Sequence, residues 1–269
     1  MTPDDTPGHD TPGHDTPGHD TFDPAAAAAA LLAARRTGAR LAALPEPGRP
    51  ATEAEAYAVQ DAVARQLGPV VAWKVGAPSA TAAPARAPLH ADTVFTTGTL
   101  PAAMFHVIGA EAEIGYRLAR DLPPGNGPYD REAVLAAVAS MHPMIEIADT
   151  RFATFGTADP FSQRADQQNH GALVIGPALA DWRGLDPVRL PVRLAVDGRV
   201  LHDTVGGNSA VDPVRLLVWL ANEGARSLGG LKAGQVVTTG SCTGTDFVTA
   251  PARIEAEFPG LGRLALAIA

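Results

Sequence analysis

Residues 193–203 read Arg-Leu-Ala-Val-Asp-Gly-Arg-Val-Leu-His-Asp, two short runs rich in β-formers around an Asp197-Gly198 pair. Asp-Gly between such runs is a strong two-residue hairpin signal, since both residues tolerate the positive φ that the favoured turn requires. Strands are therefore expected at 193–196 and 199–203. Working outward, residues 254–258 and 263–268 form a second strand pair joined by Pro259-Gly260-Leu261-Gly262, and 236–239 precedes them. Toward the N-terminus, further strands are expected at 70–75, 107–118, 144–148 and 172–175. Four helices interrupt them. One follows Asp23-Pro24 and runs to about residue 44, and one opens on the Thr52/Glu55 capping box and stops at Gly68-Pro69. The others cover about 131–141 after Asp130 and about 213–228 after Asp212-Pro213. Strands outnumber helices and cluster late, without strict strand-helix alternation. That pattern favours a mixed α+β domain over a doubly wound sheet.

The pentapeptide Thr-Pro-Gly-His-Asp occurs at 6–10, 11–15 and 16–20. It offers a turn former and no large apolar side chain, so residues 1–22 are expected to be a disordered tail. Its His-Asp pairs lack any geometry that would hold a metal firmly. The expected organisation is thus a tail over 1–22, an N-terminal helical subdomain over 23–69 and a mixed β catalytic domain over 70–269.

A chain of 269 residues that is 46% hydrophobic and 19% charged can bury a core and reads as globular. The formal charge of -8 argues against nucleic acid or an anionic membrane as partner. The single cysteine, Cys242, excludes internal disulfides and cysteine-built zinc sites. No apolar run of about 18 residues and no basic-apolar leader is present, so a cytoplasmic location is expected. Of the 21 basic residues only Lys74 and Lys232 are lysines. Where Arg serves everywhere else, a retained Lys points to a use for its amine.

Nucleotide-binding glycine loops and the serine-hydrolase elbow are missing. The carboxylates are more informative. Glu111 and Glu113 are two apart in an expected strand, so they share a face with Cβ atoms about 7 Å apart. Glu146 lies within the apolar run Met144-Ile145-Glu146-Ile147-Ala148, where an ionised carboxylate needs a partner or a metal. Three carboxylates without His or Cys would suit a hard ion, Mg2+ or Mn2+. Alternation alone would equally make Glu111 and Glu113 solvated strand residues, as Glu255 and Glu257 are expected to be.

Four segments, 72–76 (Ala-Trp-Lys-Val-Gly), 109–115 (Gly-Ala-Glu-Ala-Glu-Ile-Gly), 141–151 (Met-His-Pro-Met-Ile-Glu-Ile-Ala-Asp-Thr-Arg) and 231–241 (Leu-Lys-Ala-Gly-Gln-Val-Val-Thr-Thr-Gly-Ser), stand in an order and spacing that carry a resemblance. Together they resemble the 2-keto-4-pentenoate hydratase branch of the fumarylacetoacetate hydrolase superfamily. The resemblance implies a mixed β-roll of the superfamily's C-terminal type with a divalent ion held at Glu111, Glu113 and Glu146. It also implies that Lys74 faces the substrate. Asp92 and His90 compete for an acid-base position after the lysine, and Asp166 is a further acid-base candidate. Ser79, Asn169, Ser241 and Thr243 are the expected substrate-binding residues. His170 stands equally as a pocket or a packing residue. The family's Gly-Leu-Thr-Ser becomes Gly76-Ala77-Pro78-Ser79 here, and its Gly-His-Pro becomes Val211-Asp212-Pro213, which leaves the substrate less defined than the metal site.

The implied reaction is addition of water to a 2-hydroxy-2,4-dienoate, or its 2-oxo tautomer, giving a 4-hydroxy-2-oxo acid in a homo-oligomeric hydro-lyase. Decarboxylation of a 2-oxo-3-enedioate and C–C hydrolysis of an acylpyruvate would use the same ligands. A non-catalytic binding scaffold is the third alternative, against which the three carboxylates and the lysine speak.

Overall fold

The computed structural model describes residues 22–96 and 98–269. The repeat tail lies outside the described residues, save Phe22, which packs against the cluster formed by the first two helices.

Two sheets dominate. The larger contains β1 (Ala72–Gly76), β2 (Ala85–Leu89), β3 (Val94–Phe95), β5 (Ile108–Leu118), β6 (Val138–Ala148), β7 (His170–Ile175) and β10 (Val236–Ser241) in the order β2-β1-β10-β5-β6-β7-β3, with β11 (Asp246–Val248) also paired to β5. The smaller runs β4-β13-β12-β8-β9, from β4 (Gly98–Leu100), β13 (Gly262–Ile268), β12 (Ala252–Phe258), β8 (Pro191–Val196) and β9 (Arg199–Val205). The mixed α+β expectation holds, and Asp197-Gly198 makes the β8–β9 turn as read. The main apolar core lies between the sheets, where Ile114, Tyr116 and Ile145 from the large sheet share a cluster with Leu194, Ile254 and Phe258 from the small one.

The opposite face of the large sheet positions the site. Along β5 and β6, Tyr116 and Ile145 point to the core, so Glu111, Glu113, Met144 and Glu146 point the other way. On that second face Ala72, Leu89, Met144, Leu173, Ile175 and Val236 form a small apolar plug. Met144 lies over Gly115, where a Cβ would meet the Met144 thioether and come within 2.7 Å of the Val237 carbonyl. One end of this face is thus sealed by apolar side chains and the other is polar.

Helices α1 (Pro24–Thr37) and α2 (Glu53–Leu67) start as the caps foretold: Asp23 accepts from Ala25, and the Thr52/Glu55 capping box is complete. Their apolar faces pack on each other and on Phe152 and Ala165, the last in α4 (Pro160–Ala165). Three helical expectations are corrected. α1 ends at Thr37 rather than near 44, because left-handed Gly38 returns its N–H to the Ala34 carbonyl. α3 (Arg131–Ala136) is one short helix, and Val138 already opens β6; ten pairings to β5 outweigh the helical composition. The helix from 213 stays regular only as α5 (Pro213–Trp219), then widens into a π-turn over Leu220–Gly224 and a 3-10 turn over Arg226–Leu228. β2, β3, β4, β11 and α4 are short pieces that residue patterning did not single out.

Candidate metal and acid-base site

β5 and β6 pair antiparallel with Glu111 directly opposite Glu146. Like charges facing each other across a ladder are unfavourable. With Glu113 two residues along, the three side chains bring one carboxylate oxygen each within 4.8 Å of the others. Glu113 and Glu146 are buried, with Glu146 at 0% exposure.

Each acid is held by a different set of neighbours. A β-bulge in β10 shifts the register between Thr238 and Ser241. It turns the Gly240 N–H, at φ 88, onto Glu113 Oε2 at 2.9 Å, and the Thr238 hydroxyl donates to the same oxygen. The Thr245 hydroxyl donates to Glu111 Oε1. From β1, the Lys74 ammonium reaches Glu146 Oε1 at 2.5 Å and the Gln168 carbonyl at 3.2 Å. From β7, His170 Nδ1 lies 3.1 Å from the same Glu146 oxygen, while its Nε2 lies 3.1 Å from Thr93 Oγ1. Five adjacent strands, β1, β10, β5, β6 and β7, thus converge on one polar cluster.

Electrostatics divides the carboxylates. Burial, then repulsion from Glu146 and Glu111, pushes Glu113 well above the ordinary carboxylate range; burial and Glu146 also raise Glu111. Burial would raise Glu146 too, but Lys74 and His170 outweigh it and hold it down to about 2. Lys74 is raised, because attraction to Glu146, Glu111 and Glu113 exceeds the cost of burying its charge. Burial pushes His170 down to about 4, so its ring is neutral at pH 7. Three carboxylates facing one ammonium leave the cluster short of positive charge, and Glu146 Oε2 is buried without a hydrogen-bond partner. Both features fit a hard divalent cation held by oxygen ligands.

The other sequence candidates have different surroundings. Asp166 is committed to Arg151 Nε and backbone N–H and to the Thr150 hydroxyl, a buried ion pair that ties the loop before β7 to the end of β6. His90 is buried with Nδ1 against the Pro69 carbonyl, and burial lowers its pKa. Asp92 is exposed, 3.9 Å from Arg35. The Ser79 hydroxyl accepts from Ala82 N in an exposed turn, and Asn169 donates to Gln163. None of these five makes a hydrogen bond to an acid of the cluster. Ser241 pairs with Glu113 in register, and Thr243 Oγ1 accepts from Ala112 N. Thr238, Gly240, Thr245, Thr93 and Gln168 carried no local signal, because sheet register and loop closure bring them in.

The family model described as fumarylacetoacetate (FAA) hydrolase C-terminal matches residues 75–269. The chain belongs to this family. Within it, the FAA hydrolase fold is shared with a solved 4-oxalocrotonate decarboxylase from Pseudomonas putida G7, complexed with magnesium and adipate. That likeness has a TM-score of 0.81 at 23% identity and covers 91% of this chain and 97% of that one. Among curated proteins, 2-keto-4-pentenoate hydratase from Paraburkholderia xenovorans (strain LB400) is 30% identical over 143 residues, 53% of this chain and 52% of its own. 2-hydroxyhexa-2,4-dienoate hydratase from Comamonas testosteroni is 31% identical over 155 residues, 57% of each. The chain spans about half the length of the curated relatives it matches. The resemblance read from the four segments is borne out, and so is the fold it implied.

Proposed function

We propose that this FAA hydrolase family chain is a metal-dependent hydratase converting a 2-hydroxy-2,4-dienoate to a 4-hydroxy-2-oxo acid, with Glu111, Glu113 and Glu146 holding Mg2+ or Mn2+. The observation that carries the reading is the convergence of three carboxylates, one with an orphaned buried oxygen, beside a buried lysine. A hard dication bound there supplies Lewis-acid stabilisation of negative charge on the oxygens of a 2-oxo acid. Lys74 has three N–H donors and spends two on Glu146 and the Gln168 carbonyl, so the third is left to orient the substrate carboxylate or deliver a proton. Neutral His170, bonded on both nitrogens, fixes the Glu146 carboxylate in place. Asp166, Asp92 and His90, with the partners described above, leave Lys74 as the group placed to handle protons. Ser241, in register with Glu113, and Thr243, bonded to Ala112 N, are the groups assigned to the substrate chain in this reading. A homo-oligomer belongs to the same reading, supported by Phe247 meeting Phe155 edge to face with 56% of Phe247 exposed.

The second reading is decarboxylation of a 2-oxo-3-enedioate by the same ligands. It is favoured by the fold shared with the decarboxylase over nearly the whole described chain and by a 4-oxalocrotonate decarboxylase from Pseudomonas sp that is 28% identical over 158 residues. Purified protein is to be assayed with dienoate, 2-oxo-3-enedioate and acylpyruvate, following ultraviolet absorbance and CO2. Dienoate loss that needs Mg2+ or Mn2+ and yields no CO2 supports the hydratase. CO2 released from the enedioate, with the dienoate untouched, replaces it by the second reading.

A further inference from the structure

A cavity of about 430 Å3 lies between the last turn of α1, the segment that follows β6 and Gly171 of β7. Four arginines line it, Arg35, Arg36, Arg40 and Arg151, against two aspartates, Asp92 and Asp149. In a chain of net charge -8 such a concentration of guanidinium is unexpected. The last turn of a helix favours basic residues, which accounts for the presence of Arg35 and Arg36 but not for a cavity between them and Arg151.

The hydrogen-bond inventory shows which charges remain available. Arg151 is satisfied by Asp166 and by the carbonyls of Asp166 and His170. Asp149 accepts the backbone N–H groups of His106 and Val107. Arg40 spends one nitrogen on the Thr150 carbonyl, at 2.6 Å. Arg35 spends one on the Gln167 side chain, and its other terminal nitrogen stands 3.9 Å from Asp92, beyond hydrogen-bond range. Arg36 has no partner among the described residues. Burial and the neighbouring Arg151 charge push Arg35 down to about 10 against the attraction of Asp166, Asp92 and Asp149, so it stays protonated at neutral pH.

Thr93 and the residue after His170, Gly171, also line the cavity. Thr93 bonds one His170 nitrogen, and the other faces Glu146. The His170 ring, completely buried, therefore separates this cavity from the carboxylate cluster. A molecule seated here is a second ligand and not the far end of one bound at the acids.

We propose that this cavity is an anion site, taking a small oxyanion, either a carboxylate or a phosphate, on the free N–H forks of Arg35, Arg36 and Arg40. The planar guanidinium matches both chemistries in a bidentate manner. The volume suits a molecule the size of a small dicarboxylic acid or phosphate ester. An anion on Arg35 also bears on the Gln167–Asn169 loop. Its three consecutive non-glycine residues hold φ of 48, 53 and 59, and it presents the Gln168 carbonyl to Lys74.

The test is calorimetric titration of the full chain, stripped of divalent metal, with inorganic phosphate and separately with succinate. Saturable one-site binding of either is expected, and the probe that binds identifies the chemistry. Arg36→Gln, an exposed change that breaks no described contact, should weaken that binding roughly tenfold or more. Glu113→Gln should leave it unchanged. Failure of both probes to bind at about 10 mM overturns the site. So does binding indifferent to Arg36→Gln, or binding lost in Glu113→Gln, which would move the anion to the carboxylate cluster. None of these outcomes depends on the hydratase reading.

Discussion

Replacing Glu113 by Gln should stabilise the metal-free protein while destroying its response to metal. Glu113 has a carboxylate oxygen within 4.8 Å of one on each of Glu111 and Glu146. At that separation two unit charges repel by about 3.5 kcal/mol per pair for an effective dielectric of about 20. Proton uptake by the raised carboxylates relieves part of this repulsion, and attraction to Lys74 offsets more. Thr238 and Gly240 donate to the same Glu113 oxygen, so the amide oxygen keeps both bonds but weakens them, at about 1 kcal/mol. A net gain of about 1–2 kcal/mol remains, or about 2–8 °C in Tm for a chain of this size. The parent protein should behave oppositely. At a metal concentration near 100 times Kd it gains about 2.7 kcal/mol. Calorimetric melting of both proteins with chelator and with Mg2+ or Mn2+ reads all four values. A variant that melts lower than the parent in chelator, together with a parent indifferent to metal, would refute the reasoning and make the acids ordinary structural acceptors.

Lys74→Met removes the one ammonium paired with Glu146 and should cost the metal-free protein about 3 kcal/mol, seen as a lower Tm that added divalent ion partly restores, while dienoate turnover is lost. The pH dependence has a defined sign. Glu113 and Glu111 are raised in the folded chain, so metal-free stability falls as pH rises above the ordinary carboxylate value. Glu146, held down to about 2, contributes stability that is lost as pH falls from that ordinary value toward 2. Buried His170, His90 and His142 are lowered and act oppositely below the ordinary imidazole value, so the raised pair is read as a difference: from about pH 5.5 to about pH 8 the parent's melting in chelator should lose more than that of Glu113→Gln, with saturating divalent ion narrowing the difference. The same pH profile in both proteins would contradict the raised pair. Gly115→Ala places a methyl against Met144 and 2.7 Å from the Val237 carbonyl, and should cost about 1–3 kcal/mol in thermal or chemical unfolding.

Much was legible because it depends on neighbours along the chain. The Thr52/Glu55 box, the Asp23-Pro24 start and the Asp197-Gly198 hairpin are local devices, and each forms as read. The two-residue spacing of Glu111 and Glu113 fixed that they share a face, since a strand alternates sides whatever it pairs with. Residues 131–141 misled because local composition favours helix there, whereas pairing with β5 claims everything from Val138 onward. For Asp166 the sequence shows an acid near the expected place but not that Arg151 pairs with it.

The amino-acid sequence by itself determined the strand-rich α+β class, the helix caps, and a set of acids and one lysine too costly to bury unpaired. Only the tertiary structure decided that Glu146 faces Glu111, that Lys74 and His170 meet on one Glu146 oxygen, and that a bulge aims Gly240 at Glu113. Cross-strand register and loop closure are set by packing between segments distant in sequence, 127 residues apart for Gly240 and Glu113 and 134 for Thr245 and Glu111. No periodicity within one segment encodes which partner it will face.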